Sequence, residues 1–269
     1  MSSIKSPLRY PGGKSKAINQ ILPHIPPNIR EYREPFIGGG SVFLAVKHLL
    51  GEQIDRYWIN DLNHDLGCFW RYARDEIKSL VGAVIEIKQK YPDGRALFSY
   101  LTHKDSHVTE FDCAVRFFVL NRITFSGTVD SGGYSQQAFE RRFTDSSIVR
   151  LQKLAACLTS IQITIGDYED LLSKEGDSVF IFLDPPYFSA TKSKLYGVKG
   201  SLHTNFDHDR FAKNLQQCQH HWLLTYDDSP EIRQLFSFAK ITEWTLQYGM
   251  NNYKQTVAIA GQELLIQNY

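Results

Sequence analysis

The sequence predicts an α/β protein: a mostly parallel sheet covered on both faces, closed by an antiparallel C-terminal pair and interrupted by a mainly helical insertion. Three observations predict it. Five apolar runs end in glycine or acidic residues: "EYREPFIGGG", "DRYWINDLN", "IQITIGD", "VFIFLDPPY" and "HWLLTYDDSP". Each reads as a strand feeding a loop. Helical periodicity lies between several of them, and strands alternating with helices build parallel sheets. The last two strand-like runs, "KITEWTLQYG" and "TVAIAGQELLIQNY", have no helix between them and so read as an antiparallel pair.

In chain order, Val42, Phe43, Val46, Leu49 and Leu50 recur on one helical face after the first strand. From Cys68 the strand–helix rhythm stops. The pattern predicts one helix from Cys68 to Tyr91 and another from about Phe111 to Ile123. A polar, glycine-bearing stretch follows, "TFSGTVDSGGYSQQAFERRF", and loops that long are usually functional or mobile. This places an inserted module at 68–159, inside a domain made of 1–67 and 160–269. Ile148, Leu151, Leu154, Ala155 and Leu158 form the stripe leading back to the sheet. Phe211, Leu215 and Cys218 form another, and Ser229-Pro230 reads as an N-cap with proline at the first helical position.

The 269 residues are 42% hydrophobic and 22% charged, enough for a packed soluble core. A net charge of +1 leaves nucleic acid and small substrates equally open, because a DNA binder needs only a local basic face. Cys68, Cys113, Cys157 and Cys218 lie more than 40 residues apart with no C-x-x-C pair, which argues against a zinc motif and a disulfide framework. No signal-like segment opens the chain and no apolar run reaches the ~18 residues of a membrane span. A cytoplasmic protein with no membrane partner and no metal is expected.

Ligands of open α/β sheets bind beyond the carboxyl ends of the strands. Gly38, Gly39 and Gly40 permit a tight turn and close approach of a ligand. The dinucleotide fingerprint needs a further glycine where Phe43 stands, which disfavours nicotinamide or flavin. Asp61, at the end of the next strand, is either a helix N-cap or a partner for ribose hydroxyls. Asp167 is either a strand-to-helix cap or an acceptor for an exocyclic amine. "PGGKS" at Pro11–Ser15 imitates a phosphate loop, but Leu8 stands where that loop requires glycine.

The most informative run is "VFIFLDPPYF". Proline fixes φ and donates no N–H. Two in a row stiffen the turn and leave the carbonyls of Asp184 and Pro185 free to accept. One carboxylate oxygen and one carbonyl match the two hydrogens of a planar –NH₂ group. Pro186 completes the corner, and Tyr187 offers a ring for a heterocycle to stack on.

Taken together, "RYPGGK", "EPFIGGGSVF", an insert and "DPPYF" resemble the Dam-like, D12-class DNA adenine-N6 methyltransferases over nearly the whole chain. The resemblance implies a Rossmann-like, S-adenosylmethionine-dependent methyltransferase sheet with a reversed C-terminal strand and an inserted helical target-recognition domain. It implies sequence-specific methylation of a flipped adenine in double-stranded DNA. Tyr10, Lys14, Phe36, Gly38, Gly40, Asp61 and Asp167 would hold S-adenosylmethionine, with Lys14 at the methionine carboxylate and Asp184 near its amine. Asp184 and the Pro185 carbonyl would hold the target N6, and Tyr187 would stack on the base.

In the insert, "LNRITFSG" matches the family's DNA-facing segment, so Asn121, Arg122, Phe125 and Ser126 are DNA candidates, with Arg141 and Arg142 nearby. Relatives that read GATC carry an arginine where Asp130 stands, and an acid cannot make the bidentate contact to guanine. Lys192, Lys194 and Lys199, with Tyr196, form a basic loop after the Pro-Pro motif that is a further candidate. A cognate restriction endonuclease is a candidate partner. Methylation of cytosine N4 or of RNA adenine, and non-catalytic DNA binding on the same fold, stay open as alternatives.

Overall fold

A computed structural model describes residues 5–103, 109–188, 206–246 and 261–269. Seven strands form its sheet: β1 (Glu31–Glu34), β2 (Arg56–Asp61), β3 (Ile161–Ile165), β4 (Val179–Leu183), β5 (His221–Asp227), β6 (Lys240–Leu246) and β7 (Gly261–Gln267). Their order is β3-β2-β1-β4-β5-β7-β6. The first five run parallel, and β7 lies antiparallel to both β5 and β6. The expected terminal pair and reversed last strand are therefore present. All five residues of β4 are buried, which is why that strand reads as an unbroken apolar run.

β1 is the exception to apolar patterning: Glu31, Arg33 and Glu34 are all buried. Arg33 donates to Glu31 and to the carbonyls of Leu171, Lys174 and Glu175, so its charge is paired and its N–H groups are occupied.

Helices cover both faces. α1 (Ile18–Ile21) and α2 (Ser41–Leu50) precede β2; α9 (Glu169–Ser173), α10 (His208–Gln217) and α11 (Pro230–Leu235) accompany the second half of the sheet. Between β2 and β3 lie α3 (His64–Asp75), α4 (Ile77–Lys90), α5 (Gly94–Thr102), α6 (Glu110–Ile123), α7 (Gln136–Arg142) and α8 (Asp145–Leu154). The helix expected from Cys68 to Tyr91 is thus two helices. The first starts earlier, capped by Asn63, whose side chain accepts from Leu66 N, and the chain breaks at Glu76 (φ −135, ψ 43). Leu49, expected inside, is exposed, and Cys218 lies just past the end of α10. Ser229 caps α11 and Pro230 opens it, as its sequence requires.

α6 is buried nearly all round from Ala114 to Ile123, so it shows no single apolar face. Its start is fixed by a capping box between Thr109 and Asp112. Phe118 stacks on Phe69 of α3 with centroids 6.0 Å apart. These rings join one hydrophobic core with Tyr32 and Tyr57 of the sheet and Phe43 of α2. Each such ring contributes about 1.5–3 kcal/mol on burial, which fastens the helical segment to the sheet. A second core, with Phe211, Trp222 and Phe236, fills the space under α10 and α11. Among the described residues, no helix is long and apolar enough to cross a membrane.

Candidate active site

β1 sits between β2 and β4, so the order reverses there and the ends of β1 and β4 frame a crevice. The turn after β1 uses left-handed backbone at Gly38 (φ +44) and Gly40 (φ +66). Side chains also demand glycine here. A Cβ on Gly38 would stand 2.8 Å from the Tyr10 ring, and one on Gly40 would stand 2.6 Å from the Trp70 indole. Trp70 Nε1 donates to the Gly38 carbonyl at 3.2 Å. The close approach that the glycines allow is thus taken up at least in part by two rings of the protein itself.

Asp61 meets this turn. Its Oδ2 accepts from Gly38 N and its Oδ1 from Asn63 N, both at 3.0 Å. Asn63 is the cap of α3, so the capping alternative for Asp61 falls away. Burial pushes the Asp61 carboxyl up to about 6, against the opposing pull of the backbone N–H groups of Asn63, Gly38 and Leu62.

The segment that imitates a phosphate loop turns out to serve the crevice. Gly13 N bonds back to Tyr10 O at 3.1 Å, and a 3₁₀ turn begins at Lys14. This places Tyr10 on the glycine turn and sends the buried Lys14 to the end of β4. Its Nζ donates to Asp184 Oδ1 at 2.8 Å, to Oδ2 at 3.0 Å and to Gly12 O at 3.0 Å. The methionine-carboxylate role expected for Lys14 thus competes with a bond to the Asp184 carboxylate. Lys14 also lies 4.9 Å from the Tyr187 ring centroid, a cation–π distance.

Asp184 has a second donor, Thr225 Oγ1 of β5 at 2.8 Å. Pro185 is buried and Pro186 half-buried. The Tyr187 ring stacks on Tyr226 with centroids 5.7 Å apart, and its hydroxyl donates to Glu263 Oε2 at 3.0 Å. Phe188 N donates to Asp227 Oδ1 at 2.9 Å and fixes the exit of the corner.

Glu263, on the reversed strand, is buried, and its Oε1 has no hydrogen-bond partner among the described residues. Burial pushes its carboxyl up to about 7. Lys14 and the Tyr187 hydroxyl pull it down, while Asp184 and Asp227 push it further up. Glu34 is buried too, bonded by the Tyr32 hydroxyl, and burial holds its pKa well above the ordinary value. Sequence reasoning missed Glu34, Thr225, Glu263 and Trp70. Only Glu34 carried a signal, as an acid within a strand leading straight into the glycine turn.

Asp167 is exposed and forms a bidentate pair with Arg210 at 2.9 and 3.2 Å, while its Oδ1 also accepts from Glu169 N. Tyr168 holds the N-cap position of α9 without a side-chain cap bond, so the Asp167 carboxylate closes a two-residue turn onto the start of that helix. Phe36 lies 5.6 Å from the Tyr168 ring and 5.8 Å from both Phe206 and Phe211, forming an aromatic wall beside that pair.

The acid–lysine pair past the end of β4 and the glycine turn with its carboxylate past the end of β1 therefore stand at neighbouring strand ends. The profile of the D12 class N6 adenine-specific DNA methyltransferases matches residues 10–250. The chain belongs to that family. It is therefore an adenine-specific DNA methyltransferase, using a methyl donor and acting on DNA. The type II methyltransferase M.MjaIII of Methanocaldococcus jannaschii is 24% identical over 214 residues, covering 72% of each chain. The DNA adenine methylase of Vibrio cholerae serotype O1 is 28% identical over 260 residues, covering 90% of this chain and 88% of its own. Among solved structures, the rRNA methyltransferase aviRa from Streptomyces viridochromogenes covers 94% of this chain and 82% of its own at 8% identity and a TM-score of 0.39. That likeness is slight, and the seven-stranded sheet itself carries the fold assignment.

The insert of this methyltransferase corrects two expectations. Asn121 is fully buried: its Oδ1 accepts from Arg9 N, and its Nδ2 donates to the carbonyls of Arg9 and Gly127. Arg122 is buried and donates to the carbonyls of Arg142 and Pro7. Both clamp the N-terminal segment and face away from solvent. Their polarity suggested a surface, but unsatisfied backbone groups inside the fold claimed them.

Phe125, by contrast, is 71% exposed at the tip of a turn whose next residue, Ser126, is left-handed (φ +56). Arg141 and Arg142 are exposed on α7. Burial, followed by the charges of Arg9, Arg150 and Arg142, pushes Arg122 down to about 9, so these four cations gather behind the Phe125 turn. Asp130 is turned inward, 3.9 Å from Arg116 and 3.5 Å from Asn63 Nδ2. Lys192, Lys194, Tyr196 and Lys199 lie outside the described residues.

Proposed function

We propose that the chain transfers a methyl group from S-adenosylmethionine to N6 of an adenine flipped out of double-stranded DNA at a specific short site. The observation that carries this is the Asp184 carboxylate, held by Lys14 and Thr225 at the end of β4, beside the glycine turn and Asp61.

The residues fit the cofactor. Asp61 combines a half-buried carboxylate with a position on the glycine turn, suited to a ribose diol. Phe36, its ring tilted 33° to that of the buried Tyr168, offers an apolar wall for an adenine, with Asp167 at its edge. Tyr10, Gly38 and Gly40 line the path between them. When bound, S-adenosylmethionine supplies an electrophilic methyl group on a sulfonium centre.

The N6 lone pair of adenine is delocalised into the ring. Asp184 and the Pro185 carbonyl accept the two N6 hydrogens, which draws electron density onto nitrogen and favours the pyramidal geometry that attack needs. Lys14 keeps Gly12 O as an alternative acceptor when an oxygen of Asp184 turns to the amine. The N–C bond would form as the donor's S–CH3 bond breaks, leaving a neutral thioether, and the nitrogen gives up one proton, which passes to Asp184 or to water. Flipping costs a few kcal/mol of stacking and pairing. Stacking on Tyr187 offsets ~1–3 kcal/mol of that.

Residues 68–159 are the target-recognition part of this reading, with Phe125, Ser126, Arg141 and Arg142 at the DNA and Lys192 and Lys194, which follow the Pro-Pro motif in the sequence, added to them. An acid at Asp130 speaks for a site other than GATC. The enzyme works in the cytoplasm, and the type II names among its relatives support a cognate restriction endonuclease as partner.

The test is methylation of a mixed-sequence plasmid with labelled cofactor, digestion to nucleosides, and mapping of the modified bases. N6-methyladenine at one short motif is expected. N4-methylcytosine as the product overturns the reading. Asp184→Ala should abolish transfer while DNA binding persists; retention of even a tenth of normal turnover would remove Asp184 from the reaction centre.

A further inference from the structure

The sequence spacing argued against a metal, yet the fold gathers a donor set that the spacing hides. α3 opens with His64 and carries Cys68 one turn later, and α6 opens with Glu110 and carries Cys113 one turn later. The two helices pack side by side, which brings both first turns together. Two overlapping triads result: His64, Cys68 and Glu110, and His64, Asp65 and Cys113. Within each, the potential ligand atoms lie within 4.8 Å of one another.

We propose that His64, Cys68, Glu110 and Cys113 form a structural Zn2+ site joining the first turns of α3 and α6. Bonds of about 2.0–2.3 Å in a tetrahedron separate neighbouring ligand atoms by about 3.3–3.8 Å. The Cys68 sulfur already lies 3.7 Å from His64 Nδ1 and 3.8 Å from Nε2, and Glu110 Oε1 lies 3.9 Å from Nε2. Cys113, whose sulfur lies within 4.8 Å of a His64 ring nitrogen, completes the set by turning from Asp65 toward the other two ligands. Asp65 is excluded from the set because Arg116 engages its carboxylate.

The donor chemistry selects the ion. Two thiolates with an imidazole and a carboxylate suit Zn2+ and are wrong for Mg2+ or Ca2+, which take oxygen ligands. Four protein ligands leave no open position, so the site is structural. Burial and then the Glu110 carboxylate push the Cys68 thiol up to about 12, and burial followed by Asp65 pushes Cys113 up to about 11. A dication reverses that trend by binding the thiolates outright. Arg71, 3.8 Å from Glu110 Oε1, is the cation that a bound metal would push aside. The site also joins two functional ends: α3 starts just after Asp61, and α6 leads to the Phe125 turn.

The test uses the full chain, stripped with a chelator and titrated with Zn2+ against a chromophoric competitor, with elemental analysis of the product. A single Zn2+ per chain is expected. Co2+ in its place should show thiolate charge-transfer absorption that disappears in Cys68→Ser and in Cys113→Ser. Because Cys68 is buried, the deciding variants are His64→Ala and Glu110→Gln, both at exposed positions. Each should weaken Zn2+ by more than the ~10–100-fold that loss of an outer partner costs. Unchanged affinity in both, or Co2+ bound without thiolate absorption, overturns the proposal.

Discussion

The Lys14 ammonium lies 2.8 Å from one oxygen of Asp184 and 3.0 Å from the other, although 170 residues separate them in the chain. The pair unites two motifs that each look incomplete alone: a phosphate-loop imitation lacking its glycine and an acid before two prolines. The lysine side chain is only 2% exposed, so its charge is desolvated and depends on this partner. Lys14→Met retains most of the stem and removes the charge. It should lower kcat/KM by ~100-fold or more, the scale seen when a preorganised charged donor is lost. DNA affinity should hold, and S-adenosylmethionine affinity should fall. Steady-state methyl transfer with equilibrium binding of each ligand checks this, and normal turnover would make the ion pair incidental.

The glycine turn can be tested through its neighbour. At Gly38 a methyl group meets the Tyr10 ring at 2.8 Å and must also adopt φ +44. Left-handed backbone alone costs about 1–2 kcal/mol, so Gly38→Ala should destabilise by more than that in the native background. In a Tyr10→Ala background the ring clash is gone and only the backbone cost persists. Urea unfolding of the four proteins gives the coupling, expected between ~0.5 and 3 kcal/mol. Equal costs in both backgrounds would mean that the ring does not impose glycine at this turn.

What could be read from the sequence was whatever is encoded locally. Strand ends, the glycine turn and the Asp184 corner announce themselves within about ten residues, and the C-terminal antiparallel pair in two consecutive runs. The contacts of Glu263 and Thr225 do not. Thr225 reaches Asp184 because β5 pairs with β4, and Glu263 reaches Tyr187 because β7 inserts between β5 and β6, opposite Asp227. Asn121 and Arg122 misled for the complementary reason. Their side chains are polar, but the groups they satisfy belong to the N-terminal segment 112 and 115 residues away.

That correction separates two neighbouring substitutions. Asn121→Ala removes three hydrogen bonds to buried backbone groups, at about 1 kcal/mol each or more where a partner is left unsatisfied. A loss of about 2–4 kcal/mol is expected, with activity falling only as the fold fails. Phe125→Ala, at a position 71% exposed, should change stability by no more than about 0.5 kcal/mol. Its effect should fall on DNA affinity and turnover. Thermal melting alongside DNA titration distinguishes the two; a stable Asn121→Ala with impaired DNA binding would restore Asn121 to the DNA surface.

Glu263 gives the pH dependence. Its folded pKa, about 7, lies above the ordinary 4.5, so the native state holds this proton more tightly than the unfolded chain does. The stability this contributes is complete below pH 4.5 and is lost as pH rises through 7. A shift of that size corresponds to at most about 3 kcal/mol. The groups facing the carboxyl are Lys14, Asp184, Tyr187 and Asp227, and the Trp244 indole belongs to the residue paired with it on β6. Glu263→Gln keeps an acceptor for the Tyr187 hydroxyl and removes the ionisation. Its stability should therefore vary less between pH 4.5 and 8 than that of the parent, and the variant should gain relative to the parent above pH 7. Urea midpoints across that range measure it; parallel curves for the two proteins would mean that Glu263 is already ionised throughout.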